Sequence, residues 1–288
     1  MRVITLRILL GLMPLLLSAL AGCHKENIKP DPIPDFYALP QGNQSYDDSI
    51  VAFHAKYGTY ILYKFSAKDF SYDLNQAVKA TATVGNTAYV GDALDFLKSE
   101  CLNFYPEKFL RKTLPFKILL ASAIDSADAL HSEQPYQRSV TGIYGSQTMM
   151  CMAWADSTIL HLTPEGRKTL RSYLHKGYAR QAIVSGAMSI PLSFLKYIPG
   201  YSGTGSSTLS FREGIVEDIS RVPTSDRAPF WDFAGYVGMI TGHSKADLDT
   251  TYLSPAVDVN GLIQLKYNAV IQFYMEQGVD LQAIGNLN

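Results

Sequence analysis

The sequence predicts an exported α+β protein, and three observations carry that prediction. A leader ending in a cysteine occupies residues 1–23. In the first half, 59–65 is rich in β-branched and aromatic residues and reads as a strand, and the apolar runs at 115–121 and 147–153 read as further strands. From Thr163 onward apolar residues recur instead at helical spacing. Strands early and helices late in a chain that shows no internal repeat describe one α+β domain.

The leader comes first. Arg2 and Arg7 form a short positive segment, and Ile8 to Leu17 is an apolar run. That run is too short to span a bilayer core, which takes about 20 residues. Small residues follow it, Ser18, Ala19, Ala21 and Gly22, as in a secretory signal. Leu20-Ala21-Gly22-Cys23 resembles the lipobox of bacterial lipoproteins. The resemblance implies removal of a signal peptide over 1–22 and lipidation of Cys23, with palmitate-type chains that hold the protein to a membrane. One acyl chain binds a membrane marginally, and two signals make the anchor stable. His24, rather than aspartate, follows the cysteine; by resemblance to the Gram-negative sorting rule this favours the outer membrane, with either face open.

Removing residues 1–22 takes away Arg2 and Arg7, leaving 23 basic residues against 26 acidic ones, a net charge of −3. Nucleic acid is excluded as a partner on charge, since its binders cluster lysine and arginine. Residues 23–45 are polar, with Pro30, Pro32 and Pro34, and read as a lipidated N-terminus and flexible tether. The domain then runs over 46–288. Ile50, Phe53 and Tyr57 suit a short helix stopped by Gly58, and a strand follows at 59–65. Val90, Ala93, Leu94, Leu97 and Cys101 form one stripe of a helix over 89–104. A short helix runs towards Leu110, and 115–121 is a buried strand. Thr163-Pro164-Glu165 has an N-cap and proline at the first helical position, opening a helix that continues to Val184. The glycine-rich loop at 199–208 lacks both the P-loop lysine and a complete Gly-x-Gly-x-x-Gly. Helices at 227–242 and 260–278 complete the chain.

Besides Cys23 there are two cysteines, Cys101 and Cys151. An exported compartment permits a disulfide, yet spacing alone leaves a bridge and two buried thiols both open. His161, His175 and His243 are dispersed, without metal-ligand spacing.

Several segments in order carry a family resemblance. They are Lys56-Tyr57-Gly58-Thr59 leading into Tyr63-Lys64-Phe65, then Phe104-Tyr105-Pro106-Glu107-Lys108-Phe109-Leu110, and Leu114-Pro115-Phe116-Lys117-Ile118-Leu119-Leu120. Trp231-Asp232-Phe233-Ala234-Gly235-Tyr236-Val237 and Gly278-Val279-Asp280-Leu281 complete the set. Together they resemble the zinc-binding metallopeptidase lipoproteins of Bacteroidetes-type bacteria. The resemblance implies a single zincin-like domain with a mainly helical C-terminal half. It also implies a His-Glu-x-x-His helix, whose histidines bind zinc while the glutamate polarises water, and a downstream helix supplying a third ligand.

Those residues are missing. No two of the six histidines stand four apart. The register that keeps one histidine places His175 at the first ligand, Lys176 at the base and Ala179 at the second ligand; the downstream ligand position falls on Gly235. Lysine, when protonated, is a poor ligand, and alanine and glycine offer no ligand atom. The expectation is therefore a degenerate member with no catalytic residue, no bound metal and no cofactor, zinc being the family's. Its expected job is to bind a peptide or glycan, or to serve as an accessory of an outer-membrane uptake complex. The rival readings are an active zinc peptidase with a rearranged site and a purely structural lipoprotein.

Overall fold

The structure is a computed structural model that describes residues 35–72, 79–127, 137–138, 142–197, 211–217 and 228–287. Cys23, the tether up to residue 34 and the 199–208 loop lie outside the described residues. The chain divides into Met1–Ala38 and Leu39–Asn288, and the second unit carries every element described below.

A mixed sheet is built around β3 (Lys117–Ala127). Its first half lies between two parallel neighbours, β1 (Tyr60–Leu62) and β6 (Met149–Met152), with Ile61 opposite Ile118 and Cys151 opposite Leu119. Its second half pairs antiparallel with β2 (Lys79–Val84) and β4 (Gln137–Arg138). β5 (Ile143–Gly145) runs antiparallel to β6 and ends the strand order β1-β3-β6-β5. Every residue of β1 and β6 is buried, as expected of parallel strands covered on both faces.

The helices follow the sequence signals closely. α1 (Asp47–Tyr57) stops at Gly58, whose φ of 74° lets its N–H return to the His54 carbonyl. α2 (Ala67–Ser71) has a capping box between Ser66 and Asp69. α3 (Val90–Glu100) ends four residues short of the expected 104, because Cys101 leaves helical dihedrals and a 3-10 turn takes over at Leu102–Phe104. α4 (Glu107–Thr113) follows. α5 (Pro164–Val184) starts as predicted, with the Thr163 hydroxyl accepting from the Gly166 N–H. α6 (Leu192–Leu195), α7 (Ala228–Gly242), α8 (Lys245–Thr250), α9 (Leu262–Glu276) and α10 (Leu281–Gly285) complete the set. No helix among the described residues is long and apolar enough to cross a membrane.

One expectation needs adjustment, and one open alternative is decided. Residues read as the end of the tether are docked from Gln41: its side-chain oxygen accepts from the Tyr63 and Lys64 N–H groups, and its amide donates to the Lys64 carbonyl. One side chain thus closes the exit of β1 and moves the start of the ordered body ahead of residue 46. Cys101 and Cys151 are both buried free thiols, and burial alone raises both thiols far above the usual range.

α5 is the central helix, and small residues let it approach its neighbours. A Cβ on Gly177 would fall 2.4 Å from Ile143 Cγ2 of β5, so glycine permits the contact with the sheet. On another face the Ser172 hydroxyl donates to the Gly238 carbonyl at 2.7 Å, and a Cβ on Gly242 would lie 2.9 Å from Ser172 Cβ. The seam between α5 and α7 is therefore close-packed along Gly238 and Gly242.

Candidate functional site

The residues singled out for metal chemistry do not share one environment. His175 points into the core, fully buried, with Nδ1 2.7 Å from the Tyr105 hydroxyl oxygen and 4.0 Å from Cys101 Sγ. The Phe104 ring also lies beside it. Its Nε2 is buried and has no hydrogen-bond partner of normal geometry among the described residues. Burial pushes its pKa down to about 3, the Glu100 backbone opposing and Arg171 adding to the shift. His175 is thus a neutral core imidazole at physiological pH. Ala179, also buried, offers no donor.

Lys176 is placed differently, because successive helical positions are about 100° apart. Its stem lies against Gly238 on α7, and its Nζ lies 2.6 Å from Glu217 Oε2. Both side chains are 21% exposed, so the pair sits at the edge of solvent. Glu217 also fills the space beside Gly235: a Cβ built on Gly235 would meet Glu217 Cβ at 2.6 Å and Oε2 at 3.2 Å. Lys176, Glu217 and Gly235 form one cluster, and the contacts of His175 belong to another.

One turn beyond Lys176 stands Arg180, which the motif search did not single out. Its guanidinium carbon lies 4.2 Å from the ring centroid of Trp231, one turn ahead of Gly235 on α7. A cation over an indole face is the favoured cation–π arrangement. Tyr144 of β5 and Glu217 act on it electrostatically, and burial lowers its pKa from the ordinary arginine value. The usable signal in the sequence was periodic: Lys176 and Arg180 are four apart, as are Trp231 and Gly235. Glu217 carried no such signal, since it comes from a separate segment.

Asp232, in the segment expected to carry the third ligand, serves the core. Its Oδ2 lies 2.5 Å from Lys266 Nζ, both side chains fully buried. Lys266 also donates to the Gly214 carbonyl at 2.8 Å, which accepts from the Tyr236 hydroxyl at 2.7 Å. The Phe194 and Tyr236 rings lie around the ammonium. This knot joins α7, α9 and the short segment at 211–217 that brings Glu217 to Lys176.

No family model matches the chain, and no curated protein matches it. A crystal structure from Bacteroides caccae ATCC 43185, described as "a putative zinc-binding metallo-peptidase", matches at a TM-score of 0.54 and 17% identity. The match covers 86% of this chain and 92% of that one. The fold is metallopeptidase-like.

That neighbour's description names zinc, and a zinc ion here would need suitable donors. Tetrahedral zinc takes deprotonated nitrogen, sulfur or carboxylate donors. Beside Gly235 the side chains are an ammonium and the carboxylate paired with it, and no side chain fits at 235 while Glu217 is there. His175 is turned to Tyr105, and the described residues hold no group of three or more His, Cys, Asp or Glu side chains placed to share a metal. These residues do not fit the ion.

Proposed function

We propose that this chain is an outer-membrane lipoprotein, anchored through Cys23, whose metallopeptidase-like fold has exchanged zinc chemistry for binding. The observation that carries the reading is the Lys176–Glu217 ion pair beside Gly235. In the register set by the packing of α5 on α7, the positions facing Gly235 and Trp231 are Lys176 and Arg180. A His-Glu-x-x-His motif laid over 176–180 reads Lys-Gly-Tyr-Ala-Arg. Both ligand positions are then cations, and the base position is Gly177, where Ile143 blocks any side chain. This register differs by one residue from the one that keeps His175 as a ligand, and it explains why His175 is neutral and internal.

Two cations and a tryptophan beside the last strand of a sheet suit recognition better than hydrolysis, because no described side chain there would lower the pKa of a water. A binding subunit of a surface uptake complex is the role this arrangement supports. One experiment tests address and activity together. Membrane and soluble fractions from cells making the parent or Cys23→Ala are assayed for peptide cleavage with and without a zinc chelator. The parent is expected in the membrane, the variant in the soluble or unprocessed pool, and neither is expected to cleave. Chelator-sensitive cleavage, or a Cys23→Ala protein that still partitions as a matured lipoprotein, contradicts the reading.

A further inference from the structure

Among the described residues Arg180 forms no ion pair, and Glu217 reaches it only as a more distant charge. Lys176 is committed to Glu217 at 2.6 Å. Arg180, on the same face of α5, makes no hydrogen bond and no ion pair among the described residues, and its only direct partner there is the face of Trp231. It is half-buried at its surface yet surrounded by protein closely enough for desolvation to dominate its titration. A guanidinium carries five donors in a rigid fork and keeps its charge at every physiological pH. Leaving such a group desolvated and unpaired is costly, whereas a bidentate carboxylate satisfies it with two parallel charge-assisted bonds.

We propose that Arg180 anchors a binding site for a carboxylate carried by an extended peptide, flanked by Trp231 and Tyr144. The proposal rests on the reading that this site holds no zinc. Three features favour a peptide. Tyr144, which feels the charge of Arg180, belongs to β5, the last strand in the sheet order, and extended peptides dock alongside such strands with their carboxylates captured by fixed donors. Trp231 lies against the guanidinium itself, so the fork is organised before a ligand arrives. Glu217 repels a second negative charge near Lys176, which limits the site to a singly charged group and disfavours phosphate. The free C-terminus of a peptide is such a group.

The test uses the full detergent-purified chain and a fluorescent pool of short peptides lacking Asp and Glu, so that the C-terminus is the only carboxylate. The same pool with amidated C-termini and a labelled oligogalacturonate serve as the other probes, all read by fluorescence polarisation. The free-acid pool is expected to bind, and amidation to weaken binding about tenfold or more, the loss of a charge-assisted bidentate contact. Arg180→Met, which keeps a stem over Trp231, is expected to weaken it similarly while its thermal melt matches the parent; Arg180→Lys, which keeps the charge but not the fork, is expected to fall between. Absence of peptide binding, equal binding of the amidated pool, or affinity unchanged in Arg180→Met overturns the proposal. Arg180-dependent binding of oligogalacturonate without peptide binding overturns the choice of peptide. Zinc in the purified protein would sink the earlier reading, whereas failure of carboxylate binding in zinc-free protein sinks this inference alone.

Discussion

Replacing Lys266 by methionine is expected to destabilise the domain by about 3–5 kcal/mol, the cost of breaking a buried ion pair from one side. Lys266 and Asp232 are both fully buried at 2.5 Å, and the Gly214 carbonyl completes the ammonium's shell. Methionine leaves a carboxylate in the core without its countercharge and removes one of the two hydrogen bonds to the Gly214 carbonyl. Burial lowers the Lys266 pKa while Asp232 opposes that shift, so the pair depends on both charges being present. Urea unfolding of the parent, Lys266→Met and the double variant Lys266→Met, Asp232→Asn measures it. The double variant is expected to recover part of the loss, since removing both charges leaves no orphan. A single variant within about 1 kcal/mol of the parent, the range of exposed pairs, contradicts the assignment.

The second large effect is acid sensitivity through His175. Its folded pKa of about 3 lies below its ordinary unfolded value of 6.5, so between those values the unfolded chain binds more protons. The stability tied to neutral His175 is therefore complete above pH 6.5 and is lost as pH falls towards 3. The slope approaches about 1.4 kcal/mol per pH unit for one proton. His175→Gln is expected to flatten the stability profile most clearly between pH 6 and 5, above the range where carboxylates titrate. Equal slopes for parent and variant across that window would show that His175 titrates normally.

How much of this was legible in the sequence depended on how local the cause was. Gly58 and Thr163-Pro164 placed helix ends because the capping groups lie within four residues of the ends they satisfy. The second half of β3 was not legible. Its Asp125-Ser126 reads as loop, and only pairing with β2 and β4, themselves Ala-Thr alternation and two polar residues, makes it a strand. β5 is three residues long and exists through its ladder with Met150–Met152.

The candidate site divides the same way. The missing His-Glu-x-x-His was visible at once, and the resemblance implied that a downstream helix, the one carrying Gly235, comes to the helix carrying Lys176. The face of α5 turned towards α7 was not, because a one-residue shift along a helix exchanges a core histidine for a surface lysine. Asp232 looked like part of a ligand helix and proved to be held by Lys266, 34 positions away. Glu217 was invisible for that reason too: it reaches Lys176 from a segment held in place by the buried knot at Gly214.

Metal content tests the central claim most directly. The full chain, purified without chelator, loaded with excess zinc and passed through a desalting column, is measured for zinc per chain by elemental analysis. A site built of Lys176, Glu217, Arg180 and Gly235 predicts no more than trace zinc, the same for the parent and for His175→Ala. Near-stoichiometric zinc that survives the column would contradict it.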